Sequence, residues 1–165
     1  MATTITGGQS IICSSPVTFG STDFLSGYQW STSTNLTKSN PVTDDSMTVT
    51  ANGQGAAWIE ILDGNGDAIS TAKKELWLGK PIIIINGPSS TPNMQQADFY
   101  ASLPSGANPN SYQWILNPQL NNNVYGANTY HFEVAFYTAG SYQVVCRATN
   151  DCGTGDYTTK NVEVY

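Results

Sequence analysis

His131 is the only histidine among 165 residues, so proton-transfer chemistry at neutral pH has one ordinary carrier. It lies between Tyr130 and Phe132 on a stretch that reads as a strand. No serine or cysteine stands at a spacing that would make it the base of a nucleophile. Asp63, Asn65 and Asp67 have the alternation that opens a calcium loop. The rest of that pattern fails, because the sixth position is Ala68 rather than Gly and the twelfth is Lys74 rather than Glu. A hairpin turn is the better reading. Asp44-Asp45 reads as solvated loop, not as an acid–base pair. Asn35-Leu36-Thr37 fits the short N-glycan acceptor pattern. The three cysteines and one histidine form no cluster spaced for a structural metal. Catalytic residues, a cofactor and a metal are therefore not expected, and the chain reads as a non-enzyme.

The elements that carry these residues are written twice. Tyr28-Gln29-Trp30 returns as Tyr112-Gln113-Trp114, and Ile5-Thr6-Gly7-Gly8 matches Ile85-Asn86-Gly87-Pro88. The stretch from Gly53 through Ile59 to Gly66 matches Gly140 through Cys146 to Gly153. A repeat of about 80 residues is too long for a solenoid unit and suits a small domain with its own core. Charged residues make up only 11%, well under the usual quarter. Ser, Thr and Asn supply 50 residues of the polar surface instead. Strong helix formers are sparse and β-branched and aromatic residues are common, an all-β composition. The net charge of −6 forms no basic patch, so nucleic acid is excluded as a partner. The apolar run Pro81–Ile85 is far too short for membrane insertion.

Short alternating runs split by turn residues recur along both halves. Ser10–Cys13, Pro16–Phe19, Gly27–Ser31, Ser46–Ala51, Ala56–Leu62 and Ala68–Leu78 read as strands in the first. Ile82–Ile85, Ala97–Ala101, Ser111–Leu116, Tyr130–Phe136, Gly140–Thr149 and Tyr157–Val164 follow in the second. Such spacing without helical periodicity means a sandwich or barrel. Gly79-Lys80-Pro81 is the boundary, which gives domains at 1–80 and 81–165. Met1-Ala2-Thr3-Thr4 lacks the charged and apolar regions of a signal peptide. Met1 is read as the start of a piece of a longer protein.

Gly140-Ser141-Tyr142-Gln143-Val144 continuing to Asn150-Asp151-Cys152-Gly153 resembles the Gly-x-Tyr-x-Val and Asn-x-x-Gly signature of PKD domains. With Tyr-x-Trp on an earlier strand and a Cys-Gly turn, it is similar to PKD-like and Ig-like modules of bacterial surface or secreted proteins. PKD domains carry an acidic stretch after the Trp. Here Trp30 leads to Ser31-Thr32-Ser33 and Trp114 to Ile115-Leu116-Asn117, which favours the looser Ig-like group. The resemblance implies two tandem Ig-like (PKD-like) antiparallel β-sandwiches of seven strands, extracellular, serving as spacer or adhesion modules, with neighbouring domains of the parent protein as partners. It places Trp30 and Trp114 in the core.

Strand parity then assigns faces. If Tyr142, Val144, Cys146 and Ala148 point inward, so do their counterparts Gly55, Ala57, Ile59 and Ile61. Trp58 and Trp77 then point outward and could form an aromatic platform for a glycan or protein surface. This supports the alternative of a carbohydrate-binding module, with Tyr125 or Tyr137 as further candidates. The rival reading of these Trp is a local bulge, or burial of Trp77. Cys13 has Asn65 at its expected partner position and is predicted to be a free thiol. Cys146 is either a small buried residue or half of a Cys146–Cys152 disulfide, which needs Cα atoms within about 7 Å.

Overall fold

The computed structural model describes residues 2–39, 45–120 and 122–165. Asp44 lies outside the described residues. The chain divides into two compact units: Met1–Gly79 with Ser105–Ala107, and Lys80–Pro104 with Asn108–Tyr165. The division expected at 1–80 and 81–165 differs by that three-residue excursion and by Lys80, which falls in the second unit. Both units are all-β.

The first unit contains β1 (Thr4–Gly7), β2 (Ile11–Ile12), β3 (Val17–Thr22), β4 (Gln29–Thr32), β5 (Leu36–Lys38), β6 (Ser46–Ala51), β7 (Gly55–Leu62) and β8 (Ala68–Leu78). One sheet has the order β1-β3-β6-β5 and the other β2-β8-β7-β4. The second unit contains β9 (Ile84–Asn86), β10 (Ser90–Thr91), β11 (Gln96–Ser102), β12 (Ser111–Asn117), β13 (Asn123–Tyr125), β14 (His131–Ala135), β15 (Gly140–Asn150), β16 (Gly153–Thr154) and β17 (Thr158–Val164). Its sheets run β9-β11-β14-β13 and β10-β17-β15-β12, with β16 paired to β15. The two plans match strand for strand apart from β16, which has no counterpart among the described residues of the first unit. Each is antiparallel except for one short parallel pair, β2 with β8 and β10 with β17. These pairs arise because the first strand of each copy breaks at glycine and crosses to the other sheet. The edge strands β5 and β13, of three residues each, are too short to show an alternation in the sequence.

Alternation decides which residues are buried, since successive side chains leave a strand on opposite faces. On β15, Tyr142, Val144, Cys146 and Ala148 point into the core; on β7, Ala57, Ile59 and Ile61 do. Phe99, Phe132, Trp114 and Tyr142 come from both sheets of the second unit and share one cluster. Phe19, Met47, Trp30 and Ile61 do the same in the first. Fully burying one such side chain contributes about 1.5–3 kcal/mol. Trp30 stands across from Ile61, and Trp114 from Cys146. The expected register therefore moves by two residues: Ile61, not Ile59, is the counterpart of Cys146. Gly55 pairs with Leu78 as Gly140 pairs with Val164. A slip of two leaves every face unchanged, so the inward set was read correctly from a shifted match.

Glycine marks the crossing in both copies. A Cβ on Gly8 would overlap the Phe19 ring. One on Gly87, whose φ is +149°, would stand 2.5 Å from Phe99 Cδ1 and 2.8 Å from the Asp98 carbonyl oxygen.

Candidate functional site

Trp77 is on the outward side of β8, where parity placed it, opposite Ile11 of β2. It is nevertheless only 1% exposed. Ser105–Ala107, grouped with this unit, covers it, with Gly106 against the Trp77 Cβ. Trp58 also points outward and is half-buried. Lys73 Nζ sits 5.7 Å from the centre of its ring and pairs with Glu75 at 3.0 Å. The open two-Trp platform is therefore not formed.

The Asp63 turn uses its carboxylate internally. Asp63 Oδ1 accepts the backbone N–H groups of Asn65 at 2.8 Å and Asp67 at 3.0 Å. These bonds, Asp67 foremost, hold the Asp63 carboxyl below its ordinary value. Gly66 donates to the Asp63 carbonyl at 3.0 Å. The oxygen that would open a calcium loop closes a hairpin instead.

The cysteine expectations are corrected. Cys13 is disulfide-bonded rather than free, Cys152 is likewise disulfide-bonded, and Cys146 is the free, buried thiol. Cys146 and Asn150 lie on one unbroken strand, roughly 13 Å apart at about 3.3 Å per residue. That already exceeds the roughly 7 Å that a disulfide tolerates between Cα atoms, so Cys152 beyond the turn is out of reach. Burial pushes the Cys146 thiol up to about 12, which makes it a poor nucleophile at neutral pH.

The outer face of β9-β11-β14-β13 holds what the sequence did not foresee. Register sets Asp98 opposite Glu133 and Tyr100 opposite His131; Tyr125 stands opposite Glu133 on its other side. His131 Nε2 lies 2.9 Å from Asp98 Oδ1, and its Nδ1 lies 3.6 Å from Glu133 Oε1. Gln96 Nε2 donates to Glu133 Oε2 at 3.1 Å. The Tyr100 ring stacks on the imidazole at 4.5 Å with 4° between planes. Both ring nitrogens thus face carboxylates rather than a hydroxyl or thiol among the described residues. Asp98, His131 and Glu133 could together hold a metal ion. Tyr100, Tyr125 and Tyr130 rim them at 42, 58 and 60% exposure. The His131–Glu133 spacing of two was the one sequence signal of a shared face. Asp98 is joined to them only through strand pairing. Tyr137, at the end of this face, receives a hydrogen bond on its hydroxyl from Asn123 at 3.1 Å.

A groove over the opposite sheet is lined by Asn117, Pro118, Ser141, Tyr142, Gln143, Asn161 and Glu163; the Tyr142 ring itself is buried in the core. No helix among the described residues is long and apolar enough to cross a membrane.

A family model described as PKD-like domain matches residues 80–162. Among solved structures, the tandem Ig repeats of Dlar are 14% identical, cover 99% of this chain and 97% of that one, and give a TM-score of 0.39. The C-terminal 282-residue fragment of intimin, in complex with the translocated intimin receptor intimin-binding domain, is 15% identical over 96% of this chain and 63% of that one, with a TM-score of 0.39. The Bacteroides ovatus mixed-linkage glucan utilization locus protein SGBP-B, in complex with a mixed-linkage heptasaccharide, is 13% identical over 98% of this chain and 45% of that one, with a TM-score of 0.34. No curated protein matches the chain.

Proposed function

The chain belongs to the PKD-like domain family, and from that premise we infer that it is a non-enzymatic extracellular module of a bacterial surface or secreted protein, serving as spacer and adhesion element. One observation carries this reading. The same two-sheet plan is built twice, each time around its own apolar core, and the one histidine is held between carboxylates rather than beside a nucleophile. A repeated rigid sandwich gives length and presents surface; it supplies no proton relay. Replacement tests the reading. In the surface-displayed parent protein, an unrelated sandwich pair of equal length should restore presentation of the neighbouring domains if the role is spacing. Failure of that swap, with the native pair alone restoring it, would remove spacing as the role.

Carbohydrate binding is the second reading, moved from the first unit to the second. Tyr100, Tyr125 and Tyr130 are exposed around Asp98 and Glu133, the mix of apolar ring and hydrogen-bonding group that a sugar face requires. A glycan array on multimerised protein, read beside a Tyr125→Ala, Tyr130→Ala double variant, tests it. Binding unchanged by the double variant would place any glycan site elsewhere.

A further inference from the structure

Two carboxylates directly opposite each other on adjacent strands destabilise the pair. Asp98 and Glu133 occupy that position. The first unit shows that the fold does not need charge there. Its corresponding cross-strand pair is Thr18 and Thr48, whose hydroxyls bond at 2.8 Å. Ser46 and Gly20 pair where the second unit has His131 and Tyr100. The acidic pair and its histidine are thus present in one copy only.

We propose that Asp98 and His131 bind a divalent cation of the zinc class, with Glu133 as the positioning residue. An ion about 2.0–2.2 Å from an imidazole nitrogen and a carboxylate oxygen holds them roughly 3.4 Å apart at the tetrahedral angle that zinc prefers. The Nε2–Oδ1 separation is 2.9 Å, so the two atoms already stand close enough to share one ion, and the exposed Asp98 carboxylate swings off the hydrogen-bond line to admit it. Glu133, 3.6 Å from Nδ1, needs to close by about half an ångström to accept the Nδ1–H, and would then fix the tautomer that leaves Nε2 free to ligate, the arrangement that usually supports a ligating histidine. Gln96 steadies Glu133, and the stacked Tyr100 ring fixes the imidazole plane. The Asp98 side chain is 44% exposed, which leaves the remaining coordination positions to water. An imidazole in the set selects zinc, nickel or copper(II) over calcium and magnesium, which favour all-oxygen shells. The bound ion cancels the Asp98–Glu133 repulsion and ties β11 to β14.

The single histidine makes the test direct, because in the untagged 165-residue chain every imidazole signal belongs to this site. Zinc chloride is titrated while the side-chain nitrogen resonances of His131 are followed by NMR and the affinity by calorimetry. Saturable movement of Nε2 is expected, with calcium unable to compete. Asp98→Asn should weaken binding at least tenfold. Glu133→Gln should weaken it roughly 10–100-fold while Nε2 remains the ligand. The Asp98→Thr, Glu133→Thr double variant copies the first unit, so it should fold with an unchanged circular dichroism spectrum and lose the tight zinc response. Imidazole signals unmoved by millimolar zinc would overturn the proposal. So would equal affinity in wild type and Asp98→Asn, which would reduce the site to a lone surface histidine.

Discussion

Replacing Trp114 with Phe isolates one bond in the second core. The indole lies parallel to Phe132, with centroids 5.2 Å apart and 5° between planes. Its Nε1–H donates to the Thr129 carbonyl at 2.7 Å. Phenylalanine can keep the stack but not the donor. Stranding a partly buried acceptor costs about 1–3 kcal/mol, and the smaller ring gives up roughly 40 Å² of contact, about 1 kcal/mol at 25 cal/mol/Å². Trp114→Phe should therefore cost about 2–4 kcal/mol. Trp114→Ala adds the cavity and should rank worse, at about 3–5 kcal/mol. Urea unfolding followed by far-ultraviolet circular dichroism reads both as midpoint shifts at constant slope; with four Trp in the chain, fluorescence would mix signals. A Phe variant within about 0.5 kcal/mol of wild type, below the cost of a stranded acceptor, would refute the hydrogen-bond argument. An unchanged Ala variant would refute the core assignment.

Denatured, unreduced protein should give one free thiol per chain, and mass mapping of the alkylated peptide should place it on Cys146; a label on Cys13 or Cys152 would contradict the bonding found here. Gly87→Ala should destabilise by strain of about 1–3 kcal/mol on top of an overpacking cost of about 1–3 kcal/mol, because the new Cβ meets Phe99 Cδ1 at 2.5 Å; a melting temperature equal to wild type would count against it. Stability should fall at alkaline pH through Cys146. The unfolded thiol ionises near 9 while the folded one holds its proton to about 12, so the folded state binds more protons in that window. The contribution is full below pH 9 and is lost as pH rises towards 12. Cys146→Ala should flatten the decline measured between pH 9 and 11, and equal slopes in the two proteins would refute the assignment.

What was legible in the sequence was what packing enforces. Phe99, Phe132, Trp114, Tyr142 and Val144 must fill one interior, and alternation exposes that requirement in the letters themselves. Even a register match wrong by two kept its faces, since strand period is two. Outward residues carry no such rule. Asp98 and His131, 33 residues apart, meet only because β11 pairs with β14 in one particular register. Parity correctly sent Trp77 outward, but it cannot say what covers an outward face; Ser105–Ala107 does so from a distant stretch of chain. The disulfide failed for a related reason. The sequence suggested that Cys146 and Cys152 flanked a hairpin end, whereas β15 continues to Asn150 and carries Cys146 into the core.

Duplication turns that limit into a way of locating function. Positions that both copies fill with interchangeable residues answer to the fold: Phe19 and Phe99, Trp30 and Trp114, Leu76 and Val162. Function belongs where the copies diverge and the divergence reaches solvent. Cys146 in place of Ile61 is a divergence, but a buried one that packing absorbs. Trp77 in place of Glu163 is a larger change, yet Trp77 is covered. Trp58 in place of Gln143 reaches solvent only in part and stands alone; Asp98, His131 and Glu133 in place of Thr18, Ser46 and Thr48 change a whole group at once. This change sets like charges opposite each other at a cost to the sheet, orders a histidine between them, and leaves the group open to solvent beside three exposed tyrosines. A neutral hydroxyl pair serves the same strands in the first unit, so the fold alone gives no reason for the charged set. The cation proposed above would supply that reason, and the outer face of β11 and β14 is where a ligand of the second unit should first be sought.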